Sequence, residues 1–118
     1  MEENNKLIAE FMGMTYYIPN DDSLMVEKAP IGVLVTPTKS LEYHTSWDWL
    51  MPVVEKINNT ERYEVCIGNC HCHITDIEND NHKVRALTLS LQGKTTMRAV
   101  YLAIVEFINW HNEYNQNN

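Results

Sequence analysis

Basic residues are scarce in this chain. Nine Lys and Arg stand against sixteen Asp and Glu, a formal net charge of −7. Non-specific binding to nucleic acid or anionic membrane rests on neutralising phosphates with Lys and Arg, so this balance argues against both and leaves only a small local basic patch. Long apolar runs are absent, and nothing approaches the roughly 20 residues of a membrane span. The opening stretch MEENNKLIAEFMGM has neither the cationic start nor the apolar centre of a secretory signal. A cytoplasmic location is therefore expected, with Cys66, Cys70 and Cys72 as reduced thiols. Gly and Pro are few, four of each, which argues against extended disorder. The 118 residues are expected to form one domain, 1–118, with a buried core. Nothing matches G-x-S-x-G. The GKTT at Gly93 to Thr96 is a poor phosphate loop, because its first glycine would fall at Thr88.

What is present is periodicity. Leu7, Ile8, Phe11 and Met12 share one face and predict a helix over 2–14, with Gly13 to end it. Pro19, Pro30 and Pro37 cut residues 15–45 into short pieces, of which TYYI and IGVLVT are the expected strands. In YHTSWDWLMPVVEKI, Thr45 or Ser46 suits an N-cap, Asp48 suits the helix dipole, and Trp47, Leu50, Val53, Val54 and Ile57 form a stripe. Pro52 predicts a tight first turn with regular helix from about Leu50. Residues 63–67 and 70–76 read as strands joined by a Gly68–Asn69 turn, followed by a third strand over 84–91. A long helix is expected over 95–113. The predicted fold class is α+β: a three-stranded antiparallel meander packed against helices as a single layered sandwich. Its order is helix, short strands or loops, helix, three strands, helix. Double-stranded-RNA-binding domains share part of that order but need a basic surface. Here only Lys94 and Arg98 offer one, so nucleic acid is not an expected partner.

The densest chemistry lies in VCIGNCHCHI, residues 65–74. With a two-residue turn at Gly68–Asn69, Cys66 would oppose His71 and Glu64 would oppose His73. Tyr63, Val65, Ile67, Cys70, Cys72 and Ile74 would share an apolar face, with Cys70 and Cys72 as core residues. Glu64, Cys66, His71 and His73 would then share the other face. They are a candidate metal set, since thiolate, imidazole and carboxylate are zinc ligands. Their spacing matches no familiar zinc signature, and a plain polar sheet surface is the competing reading. No resident cofactor is expected. Cys66 beside His71 lacks any third orienting group, so no catalytic residue is assigned.

Two further sites follow from the last helix. Gly93, Lys94, Thr95, Thr96 and Arg98 gather amides, hydroxyls and cations at its start, where a phosphate or carboxylate would be favoured. Beyond its main face lie Ala99, Leu102, Ala103, Val105 and Trp110. A helix apolar on more than one side is buried on more than one side, which predicts a homodimer interface there.

The stretches NKLIAEFMG, YHTSWDWLMPVVEKI and AVYLAIVEFINWHNE resemble a family of small bacteriophage and prophage proteins related to the phage ABA-sandwich domain proteins. These words cover about a third of the chain and carry no catalytic chemistry; CIGNCHCH is not among them. The resemblance implies an α/β layered fold, a viral or prophage origin and an accessory role in the host cytoplasm. The expected function is a non-catalytic module binding a host protein or a small ligand, an anionic one included, with counter-defence or takeover as roles. A small metal-binding protein or enzyme centred on Glu64, Cys66, His71 and His73 is the alternative.

Overall fold

Helix α1 (Glu2–Phe11) ends where the backbone demands glycine. Gly13 has φ 96°, the left-handed region that a Cβ disfavours. The Gly13 N–H donates to the Glu10 carbonyl at 3.0 Å and the Met14 N–H to Ala9 at 2.9 Å, the paired bonds of a Schellman motif. Ile8, Ala9 and Met14 are buried. The computed structural model describes residues 2–16, 24–29, 32–37, 40–76, 83–86 and 95–116.

Strand β1 (Thr15–Tyr16) pairs antiparallel with β2 (Leu24–Ala29), which pairs in turn with β3 (Gly32–Pro37) along Leu24↔Pro37 to Ala29↔Gly32. The expected strands TYYI and IGVLVT correspond in part to β1 and β3; β2 was not anticipated.

Helix α2 (Trp47–Asn58) turns Leu50, Val53, Val54 and Ile57 inward. It is helical from Trp47, and its first turn closes with an i→i−3 bond, the Trp49 N–H to the Ser46 carbonyl at 3.2 Å, beside the regular Leu50 N–H to the same carbonyl at 3.0 Å. Proline lacks the N–H that would bond to the Asp48 carbonyl. Both residues are exposed, and water replaces that bond at small cost. Ser46 holds the N-cap position in extended conformation, without a side-chain cap.

Strands β4 (Tyr63–Gly68) and β5 (His71–Asp76) form an antiparallel pair. Strand β6 (Lys83–Ala86) runs antiparallel along β5 from Cys72↔Ala86 to Thr75↔Lys83. The rest of the expected third strand, 87–91, lies outside the described residues. Helix α3 (Thr96–Gln116) begins at Thr95, whose hydroxyl accepts the Arg98 N–H at 3.1 Å as an N-cap.

The hairpin register corrects the sequence reading. Gly68 opposes His71, Cys66 opposes His73 and Val65 opposes Ile74, so the loop residues are Asn69 and Cys70. The slip is two residues. It preserves which side chains share a face, because the strand period is also two. Gly68 does not supply the positive φ. That falls to Cys70, at φ 61°. Gly68 instead lies under the His71 imidazole, where a Cβ would run into Cε1 and Nε2 of that ring. Gly68→Ala should therefore push the His71 ring aside, costing up to about 1–3 kcal/mol where the ring is held by its neighbours. Thermal melts check this: the double variant Gly68→Ala, His71→Ala should recover most of the loss, and a Gly68→Ala melt equal to wild type would refute a held ring.

Among the described residues the fold is α+β, with three helices around an antiparallel strand pair. Helix α3 is its centre, packing against β5 and β6 and also against α1 and α2. This bears on the residues expected at an interface. Ala99 and Ala103 are fully buried and Val105 is 8% exposed in the single chain. Leu102 and Trp110 are half-buried against the same core. Ala99, Ala103 and Val105 are covered by the chain's own elements, while Leu102 and Trp110 keep part of their surface exposed.

Asn5 is the buried polar residue beneath this arrangement. Its amide nitrogen donates to the Leu41 carbonyl at 3.1 Å and contacts His44 Nδ1 at 2.9 Å. Its oxygen accepts the Tyr101 hydroxyl at 3.1 Å. A carbonyl only accepts, so the Leu41 contact orients the amide and leaves His44 Nδ1 as an acceptor.

Candidate functional site

The strand pairing places Glu64, Cys66, His71 and His73 on one face, as alternation requires. They form two pairs. The Cys66 thiol donates to Glu64 Oε1 at 3.5 Å, and the His71 and His73 rings lie with centroids 5.1 Å apart, tilted by 50°. Among the described residues no group of three or more His, Cys, Asp or Glu is placed to hold a metal ion. Partial burial, and then the Glu64 hydrogen bond and charge, push the Cys66 thiol up from its ordinary value. It stays protonated at neutral pH, whereas a cysteine nucleophile acts as the thiolate.

The cysteines sort by position. Cys66 is exposed, Cys72 is buried, and Cys70 is intermediate. The expectation that Cys70 joins Cys72 in the core is thus corrected: Cys70 sits in the turn, where its N–H donates to the Thr96 hydroxyl at 3.1 Å. Burial, with the Cys66 charge second, pushes the Cys72 thiol up to about 12. Native labelling with a maleimide should modify Cys66 first, Cys70 more slowly and Cys72 only on unfolding. Mass spectrometry of time points reads the order, and early modification of Cys72 would contradict its burial.

At the start of α3, Gly93 and Lys94 lie outside the described residues. Both threonine hydroxyl oxygens already accept backbone N–H groups, Thr95 from Arg98 and Thr96 from Cys70. Their role is to cap the helix and tie it to the hairpin turn.

A different site emerges where α1, α2, β4 and α3 meet. A cleft of about 340 Å³ is lined by Phe11 from α1, Lys56 and Ile57 from α2, Thr60 after it, Tyr63 opening β4, and Phe107, His111 and Asn112 from α3. Its walls are ring on ring. Phe107 meets Tyr63 edge-on at 4.9 Å and Phe11 edge-on at 6.2 Å, and it stacks on His111 at 5.7 Å. The Lys56 ammonium lies over the Phe11 ring, 4.6 Å from its centroid, and donates to the Phe11 carbonyl at the end of α1. The Arg62 guanidinium covers the Tyr63 ring at 5.5 Å. Burial first, and then the Arg62 charge, hold His111 below its ordinary value, so its imidazole is neutral at pH 7.

The sequence reading missed this cleft. Its pieces were visible separately: Phe107 and His111 at helical spacing, Phe11 at a helix end, Tyr63 at a strand start. Each read as core, and only Lys56 among an apolar lining hinted otherwise. A scan against protein-family models, a search of curated proteins and a search of solved structures each return no match.

Proposed function

We propose that this chain is a small non-catalytic binding module whose ligand enters the aromatic cleft between α1, α2, β4 and α3. The observation that carries the reading is the cleft itself. Its size falls within the roughly 300–1,000 Å³ of small-molecule sites, and it has their character: an apolar and aromatic lining with a few polar groups at fixed positions. Among the described residues its lining holds no thiol and no carboxylate. An accessory role of the phage type is part of this proposal, on the strength of the three apolar stretches that form α1, α2 and α3. So is the finer architecture, a three-stranded meander backing the helices in one layered sandwich. The pairing of β6 with β5 and the packing of α3 along both support it.

An amide-detected NMR screen of small aromatic fragments tests the site. Hits should shift the Phe11, Lys56, Thr60 and His111 amides together. Hits that cluster on the β4–β5 hairpin instead, or no hits at millimolar fragment, would overturn the reading.

A further inference from the structure

We infer that the cleft selects a small planar aromatic anion, one or two fused rings bearing a carboxylate or a comparable acidic group. This rests on the cleft being the binding site and adds the chemistry of its occupant. The first argument is charge. The chain carries sixteen acidic residues against nine basic ones, yet among the described residues no Asp or Glu lines the cleft and Lys56 does. An ammonium has three donors. The Phe11 carbonyl takes one, which leaves donors for an anion at the cleft wall. Arg62, over the Tyr63 ring at 5.5 Å, is a second basic group beside the cleft.

The second argument is shape. Phe107 meets both Tyr63 and Phe11 edge to face, and Phe11 is the half-buried ring of the three, with surface open to a guest. Flat aromatic guests match such walls by offset stacking and edge contacts. At about 340 Å³ the space lies at the small end of ligand sites and suits one or two rings rather than a nucleotide. Asn112 and Thr60 supply neutral hydrogen-bonding groups beside the cation. A cationic guest would meet Lys56 with like charge and no carboxylate in the lining.

The test compares three isosteric probes, 2-naphthoate, 2-naphthalenemethanol and 2-naphthylmethylammonium, by NMR titration of the full chain. Naphthoate should bind about tenfold more tightly than the alcohol, with the ammonium weakest. In Lys56→Met the preference of naphthoate over the alcohol should fall below about threefold, while Lys56→Arg should retain it. Because Lys56 also bonds the Phe11 carbonyl, a melt checks that each variant is folded. The preference ratio within one variant is insensitive to a purely structural loss. If all three probes bind the cleft equally, or Lys56→Met keeps the preference, the anion inference is overturned and the binding site stands. If no probe shifts the cleft amides, both fall.

Discussion

Asn5→Leu is expected to lower stability by about 3 kcal/mol and the melting temperature by about 10 °C. The residue is 2% exposed, and all its partners lie on other segments: Leu41 before α2, His44 in the same approach, and Tyr101 on α3. Leucine fills similar volume, so the loss would come from polar groups left behind rather than from a cavity. The Tyr101 hydroxyl would suffer most, because that residue is 1% exposed. A buried polar group left unpaired costs about 1–3 kcal/mol. Burial already holds the Tyr101 phenol above its ordinary value, although Arg98 pulls the other way. Adding Tyr101→Phe to Asn5→Leu should restore about 1 kcal/mol, since removing both partners is milder than removing one. Asn5→Asp separates shape from donation. It keeps the Tyr101 bond but sets acceptors against the Leu41 carbonyl and His44 Nδ1. A drop below about 3 °C in Asn5→Leu would mean the network does not tie α1 to α3.

Phe107→Ala is expected to be larger, about 4 kcal/mol, as for other buried aromatic truncations. Phe107 is 1% exposed and touches the Phe11, Tyr63, Trp110 and His111 rings. Its removal would take away transfer energy, leave a void and break several ring contacts at once, each aromatic pair being worth about 0.5–1.5 kcal/mol beyond its burial. Against a total stability of about 5–15 kcal/mol, the variant should sit close to unfolding. Phe107→Leu should cost less, since it fills part of the void. Chemical denaturation reads both, and an unchanged midpoint for Phe107→Ala would show that the four rings do not depend on one another.

The three helices were legible because their determinants are local. Leu7, Ile8 and Phe11 mark a face and Gly13 supplies a left-handed stop; Leu50, Val53, Val54 and Ile57 mark a second face; Thr95 caps the third helix. The hairpin faces were legible for a related reason. Alternation has a period of two, and it survived a one-residue error in the turn, which shifts each strand partner by two. The turn position was not legible. Gly68 looked like the residue that would take the positive φ, but the His71 ring needs its bare backbone, and Cys70 takes the strained conformation instead. That choice depends on how two strands pack, which neither strand encodes alone. The strand LMVEKA at Leu24–Ala29 mixes Glu and Lys with apolar residues, and pairing with β3 makes it a strand.

By itself the sequence determined the periodic elements, the acidic balance and which hairpin side chains alternate. These follow from local sterics, capping and composition, which need no partner segment. Tertiary structure decided where the surplus apolar surface of α3 goes. The part at Ala99, Ala103 and Val105 is covered by sheet on one side and by helices α1 and α2 on the other, so Ala99 and Ala103 are core. Tertiary structure also decided the candidate site. Phe11, Lys56, Tyr63 and Phe107 are separated along the chain by up to 96 positions, and they form a cleft because α3 brings four elements to one place. No local rule reports which apolar faces will meet incompletely, and a cleft is the space left where they do.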